Sequence, residues 1–322
     1  MKVKVSAPGK LLLLGEHAVV YNKPCLVTAV NHRLSVELTK KNNKILEITA
    51  TDLNLTDYKK DLSQLGKRDI PKAVQFVEIA VKNFQDKYGL DFGLRITTKS
   101  QFKVKFGFGS SSASAVCAIR GLAELTGINL SKREIFDLSY KTVLDVQGVG
   151  SGFDVAAATY GGTLYFVTGG KEIKPLNLKQ IPLVVGYSGI KGDTAIIVKD
   201  LAKRREKNSA MFDDIFNTIT KLVEQGKNNL ENQDWQNLGD LMRINHGLLV
   251  QLGVSTDTLD DLCTVALSAG AYGAKLSGAG GGDCMIALVN DQTRKSVEQA
   301  IIKAGGELIN IKTSAPGVQL EL

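Results

Sequence analysis

The chain has 322 residues, 43% of them apolar and 23% charged, which is the balance of a soluble globular protein with room for one large or two ordinary domains. Its net charge of +7 is dispersed, so it lacks the basic block of a nucleic-acid binder and points to no nucleic-acid partner. Cys25, Cys117, Cys263 and Cys284 stand far apart in apolar contexts, without zinc-ligand spacing, and no apolar run is long enough to span a membrane, so a cytoplasmic protein with buried free thiols and no membrane partner is expected.

Val3 and Val5 alternate with lysines, as in a strand. Ser6-Ala7-Pro8-Gly9-Lys10 is predicted to be a tight turn that delivers a lysine. The buried run Leu11 to Leu14 and Gly15-Glu16-His17-Ala18-Val19-Val20 follow. Strands are predicted over about 30–40 and 44–51, while 52–70 is uninformative. Pro71 opens a helix that Gly89 stops. A strand over Leu94 to Thr98 leads past Lys99, Lys103 and Lys105 into Gly107-Phe108-Gly109-Ser110-Ser111-Ser112, and then into a helix. Ser131 and Glu134 form a capping box for the next helix, which ends at a second glycine-rich turn, Gly148 to Asp154. Small residues Val155 to Ala158 follow, and Thr163 to Thr168 and Leu183 to Tyr187 read as strands. Beyond them, four amphipathic helices are predicted between about 194 and 269. Lys275 to Asp283 carry a third glycine-rich loop, followed by a buried strand, a helix and a last strand. Strands and helices mix without regular alternation, which argues an α+β fold in two domains, 1–186 and 187–322.

Gly107 and Gly109 let the backbone approach a ligand, and the helix behind them presents unpaired N–H groups to an anion. A serine-capped helix after a plain turn fits the same residues. Three glycine-rich loops, each with a polar partner (Ser111, Asp154, Asp283), favour a ligand approached by backbone from several sides. None is a Walker A loop or a Rossmann fingerprint.

APGKLLLLGEHAVVY, GFGSSSASA and KLSGAGGGDCMIAL resemble, in order and spacing, the three signature motifs of the GHMP kinases. The resemblance implies a ribosomal-protein-S5-like N-terminal domain, a ferredoxin-like C-terminal domain, and ATP with Mg²⁺ between them. GEHAVVY, KPCLVTAVNHRLSVEL, GIKGDTAIIVKDL and LGVSTDTLDDL resemble the mevalonate kinases. The Gly150–Ala158 segment and Asp283 resemble the phosphomevalonate kinases instead. Val143, eleven residues before Asp154, stands where mevalonate kinases carry a magnesium-binding glutamate; Asp283 and Asp145 are the candidates to replace it.

By this resemblance Asp154 is the catalytic base and Lys10 its partner near the transferred phosphoryl group. Lys105, Gly107, Phe108, Gly109, Ser110, Ser111 and Ser112 would bind the nucleotide, with Ser111 on Mg²⁺. Glu16, His17, Thr194 and Gly278 would face the acceptor. Structural readings stand beside these: a turn-capping aspartate, a solvated lysine, and a loop at 277–282 that only supports its neighbours. His32 and His246 read as plain strand and helix residues. The implied reaction is phosphorylation of mevalonate, with 5-phosphomevalonate as the alternative acceptor. The latter would need a cationic cluster from Lys103, Lys105 or Lys191. A homodimer is compatible with the family. A non-catalytic binder is disfavoured by the presence of both Lys10 and Asp154, and a decarboxylase by GEHAVVY.

Overall fold

The computed structural model describes residues 1–67, 69–101 and 106–321. Where a strand, a tight turn and a buried run were expected, one strand runs through: β1 (Lys2–Leu14) pairs antiparallel with β2 (Pro24–Lys41) along its whole length. Pro8 and Gly9 are not a turn but a register shift within the ladder, with a second shift between Leu12 and Leu14. A bulge absorbs the proline, which lacks a donor, without ending the strand. Lys10 therefore projects from a strand rather than from a turn.

β2 is long enough to serve two neighbours. Its second half pairs with β5 (Gly93–Ser100), which runs parallel to β3 (Ile45–Ala50). Its first half pairs with β6 (Thr163–Val167), which pairs in turn with β7 (Glu172–Leu176). β4 (Leu55–Asp61) forms the outer edge, in a stretch whose polar sequence carried no strand signal. α1 (Gln75–Tyr88), α2 (Ser110–Thr126), α3 (Lys132–Gln147) and α4 (Phe153–Tyr160) pack against this sheet and one another. The expected Ser131–Glu134 capping box is formed, and Gly89 ends α1. α2 is buried almost throughout because it is built from Ala, Val, Ile and Leu with a glycine, Gly121, where Leu38 of β2 presses close. The buried Phe84, Phe136 and Phe166 each contribute roughly 2–3 kcal/mol to this core.

The second sheet has the order β11 (Glu307–Ile309), β8 (Leu183–Tyr187), β10 (Cys284–Leu288), β9 (Gly273–Ser277), all antiparallel. With α5 (Thr194–Lys207), α6 (Ser209–Glu231), α7 (Trp235–Gln251) and α8 (Asp257–Ser268) between β8 and β9, and α9 (Arg294–Lys303) between β10 and β11, this is the βαββαβ order expected of the second domain. The boundary expected at 186/187 falls inside β8. Strand pairing puts all of β8 with the second sheet, while the chain end returns β12 (Gln319–Glu321) to β1. α6 ties the two halves together: Gly226 lies against Leu14 and Leu26, and Glu224 accepts a 2.6 Å hydrogen bond from Tyr165. Among the described residues no helix is long and apolar enough to cross a membrane.

Candidate active site

β1 carries Lys10 into the interior, where it is 7% exposed. Its backbone N–H donates to the Phe108 carbonyl at 3.1 Å, so the strand itself holds the glycine-serine loop. Its Nζ donates to the Gly107 carbonyl at 3.0 Å, lies 3.2 Å from Asp154 Oδ1 and sits 5.3 Å from the centre of the Phe153 ring. Asp154 is the second residue of α4, whose N-cap, Gly152, takes a left-handed φ of 94°. The Tyr140 ring fills the space where a Gly152 side chain would stand, and its hydroxyl donates to the Gly150 carbonyl at 2.7 Å. The turn that delivers Asp154 is thereby fixed from α3. Asp154 Oδ1 is buried with no aligned hydrogen-bond donor. Lys10 approaches it as a charge, so the oxygen keeps capacity to accept a proton.

Gly109 is the N-cap of α2, at φ 81°, and no side chain caps the helix. A serine cap is therefore absent, and the first amides of α2 stay available. A Cβ on Gly109 would stand 3.2 Å from Asp154 Oδ1 and 3.5 Å from Lys10 Cε, so the glycine keeps open the space in front of the pair. Ser110 and Ser111 are partly exposed beside it, while Ser112 is buried. Ser111 also accepts the Ser114 hydroxyl on its carbonyl at 2.8 Å. Lys103 and Lys105 lie outside the described residues.

The second domain closes the site through its glycine-rich loop. Asp283, at a left-handed φ of 58°, accepts Lys191 Nζ at 3.0 Å and the Gly192 N–H at 3.1 Å on Oδ1. Its other oxygen packs where a Gly107 side chain would be. Asp283 thus joins the 188–192 loop to the phosphate-loop candidate. Thr194 is exposed at the first residue of α5, just beyond this junction. Gly278, at φ 117°, has open space over its Cα.

His17 lies at φ 61°, ψ −48°, with the Ala18 N–H donating to the Glu16 carbonyl at 2.7 Å. This is a γ-turn of the rare positive-φ hand, strained for a residue with a Cβ. His17 Nε2 is 2.9 Å from the Ala279 carbonyl, which can only accept, so Nε2 carries the hydrogen. Burial lowers its pKa to about 4, which leaves a neutral imidazole with Nδ1 as an acceptor.

Glu16 does not face a ligand as expected. It is fully buried, its Oε1 paired with the equally buried Lys275 and its Oε2 accepting Asn245 Nδ2 at 3.2 Å. Burial lowers the Lys275 pKa and the Glu16 charge opposes that. Lys275 and Asn245 were missed from the sequence. A lone lysine inside the apolar strand GAKLS was the available signal, because such a group needs a buried counter-charge.

No group of three His, Cys, Asp or Glu side chains among the described residues could hold a metal. Val143 is buried, and Asp145 is taken by Lys141 and by Asn83 Nδ2 at 2.9 Å, which removes it as a substitute. What remains near the uncapped helix end is the Ser111 hydroxyl and the Asp154 carboxylate. That set suits a cation that arrives with phosphate oxygens and keeps several waters.

The GHMP kinases N terminal domain model matches residues 75–162 and the GHMP kinases C terminal model matches 227–307. The mevalonate kinase of Thermococcus sibiricus is 36% identical over 100% of this chain and 99% of its own, and that of Pyrococcus horikoshii is 37% identical over 99% and 98%. Among solved structures, Methanococcus jannaschii mevalonate kinase superposes with a TM-score of 0.83 at 26% identity, covering 98% of this chain and 99% of its own. Streptococcus pneumoniae phosphomevalonate kinase reaches 0.80 at 20% identity over 97% and 99%, which speaks for the fold alone. The chain belongs to the GHMP kinase family, and its similarity to the mevalonate kinases runs its full length.

Proposed function

We propose that this chain transfers the γ-phosphoryl group of ATP to the primary hydroxyl of mevalonate, giving 5-phosphomevalonate and ADP. The observation that carries the reading is the ion pair between the buried Lys10 and the half-buried Asp154 in front of the uncapped N-terminus of α2. Phosphoryl transfer asks for positioning and charge neutralisation, and both are supplied here by residues held from several elements. The amides of Gly109 to Ser112 and the positive end of the α2 dipole suit the triphosphate. Mg²⁺, bound with the nucleotide and the Ser111 hydroxyl, would supply charge neutralisation on the phosphate oxygens.

Asp154 accepts the proton of the attacking hydroxyl. The hydroxyl oxygen forms its bond to the γ-phosphorus as the bond to the β–γ bridging oxygen breaks, and the electron pair leaves with ADP. Lys10, 3.2 Å from Asp154 Oδ1, adds positive charge beside the transferred group. His17, Thr194 and Gly278 line the acceptor side, with His17 acting as a neutral hydrogen-bonding group. Glu16 supports that side from behind.

The Gly150–Ala158 segment favours 5-phosphomevalonate as a second acceptor. Of the cations that reading needs, Lys191 is engaged by Asp283. A coupled ADP-release assay with each acceptor separates the two. Turnover of mevalonate is expected, and turnover of 5-phosphomevalonate alone would overturn the assignment.

A further inference from the structure

Asn245 of α7 is fully buried, yet only half of its amide is used. Nδ2 donates to Glu16 Oε2 at 3.2 Å, while Oδ1 has no partner. A buried, half-satisfied amide costs stability. The neighbouring His246 is committed elsewhere: it accepts the Leu276 N–H at 3.4 Å on Nδ1 and faces Asp260 at 3.2 Å on Nε2. Asn245 is therefore the one donor that α7 directs at Glu16 among the described residues.

We infer that Asn245 is a positioning residue that sets His17 on the acceptor side of the site. Lys275 alone, a flexible cation on one oxygen, leaves the Glu16 carboxylate free to turn about that contact. A second donor from a different element, on the other oxygen, fixes its plane. The Glu16 carbonyl is the acceptor of the γ-turn around His17, so the orientation of Glu16 passes directly into the turn. A positive-φ histidine persists only where its surroundings over-determine it. Here it has three long-range ties: Asn245 and Lys275 through Glu16, and Ala279 through its own ring. This inference rests on the reading of His17 as an acceptor-side residue.

The test uses the full-length protein with Asn245→Leu, and Asn245→Ser should the first fail to fold. The readouts are the ring ¹⁵N signals of His17, thermal stability, and KM for mevalonate and for ATP separately. Asn245→Leu is expected to fold with a lowered melting temperature, because the buried Glu16 Oε2 loses its Asn245 donor, to shift the His17 ring signals, and to raise KM for mevalonate about ten-fold, the scale of one lost hydrogen bond, with KM for ATP unchanged. On a His17→Ala background it should add no further rise. Unchanged His17 signals would overturn the inference, as would both KM values rising together. If His17→Ala itself leaves KM for mevalonate unchanged, the acceptor-side reading fails. The ring signals in Asn245→Leu would still decide whether Asn245 orients His17.

Discussion

His17 gives this protein a measurable sensitivity to acid. In the folded chain its ring is buried and neutral, with a pKa lowered from 6.5 to about 4 by desolvation and further by the nearby Arg204, against the stabilising Ala279 carbonyl. Between those values the unfolded chain binds a proton that the folded chain refuses, so falling pH favours unfolding. The loss starts as pH drops through 6.5 and stops growing below about 4, where the folded ring protonates too. Its full size is ~3 kcal/mol, a large share of the stability of a domain. Asn tolerates positive φ and does not titrate, so His17→Asn removes the effect with little backbone penalty. Urea unfolding of both proteins at pH 7.5 and pH 4.5 isolates it, because other titrating groups cancel in the comparison. The wild-type chain should lose about 2–3 kcal/mol more than the variant between those conditions. Parallel losses, within about 0.5 kcal/mol, would refute a buried neutral His17.

Three further outcomes are expected. Asp154→Asn should lower kcat by about 10²–10⁴-fold while ATP binding, measured by calorimetry, changes little; near-normal kcat would remove Asp154 as the base. Lys275→Met should destabilise the fold by about 3–5 kcal/mol by leaving Glu16 charged and unpaired, and adding Glu16→Met should restore most of that in denaturant titrations; a double variant no better than the single would show that the pair does not act as a unit. Gly109→Ala should cost about 1–2 kcal/mol from its left-handed backbone, and its Cβ should crowd Asp154 Oδ1 and weaken ATP binding; an unchanged ATP dissociation constant would place the phosphates elsewhere.

Much of this architecture is local and therefore legible in the sequence. Ser131 with Glu134, and Gly89, each act on backbone groups a few residues away, and each forms as its spacing predicts. Motif order likewise pointed to Lys10, Asp154 and the 107–112 loop, which the fold does bring together. Pro8-Gly9 misled because a proline reads as a turn wherever no partner strand is visible; β2 supplies that partner and turns the break into a bulge. β8 reads as a strand on its own residues, but only its pairing with β10 and β11 assigns it to the second sheet. The family resemblance placed Glu16 and His17 together on the acceptor side. Tertiary structure separates them. Lys275, 259 residues away, draws the carboxylate into the interior, while the γ-turn leaves the imidazole at Ala279. What the sequence by itself determined were the groups whose partners lie within a turn or a motif. Which charges are buried, and which oxygen is left to take a proton, depended on residues that only folding brings within reach.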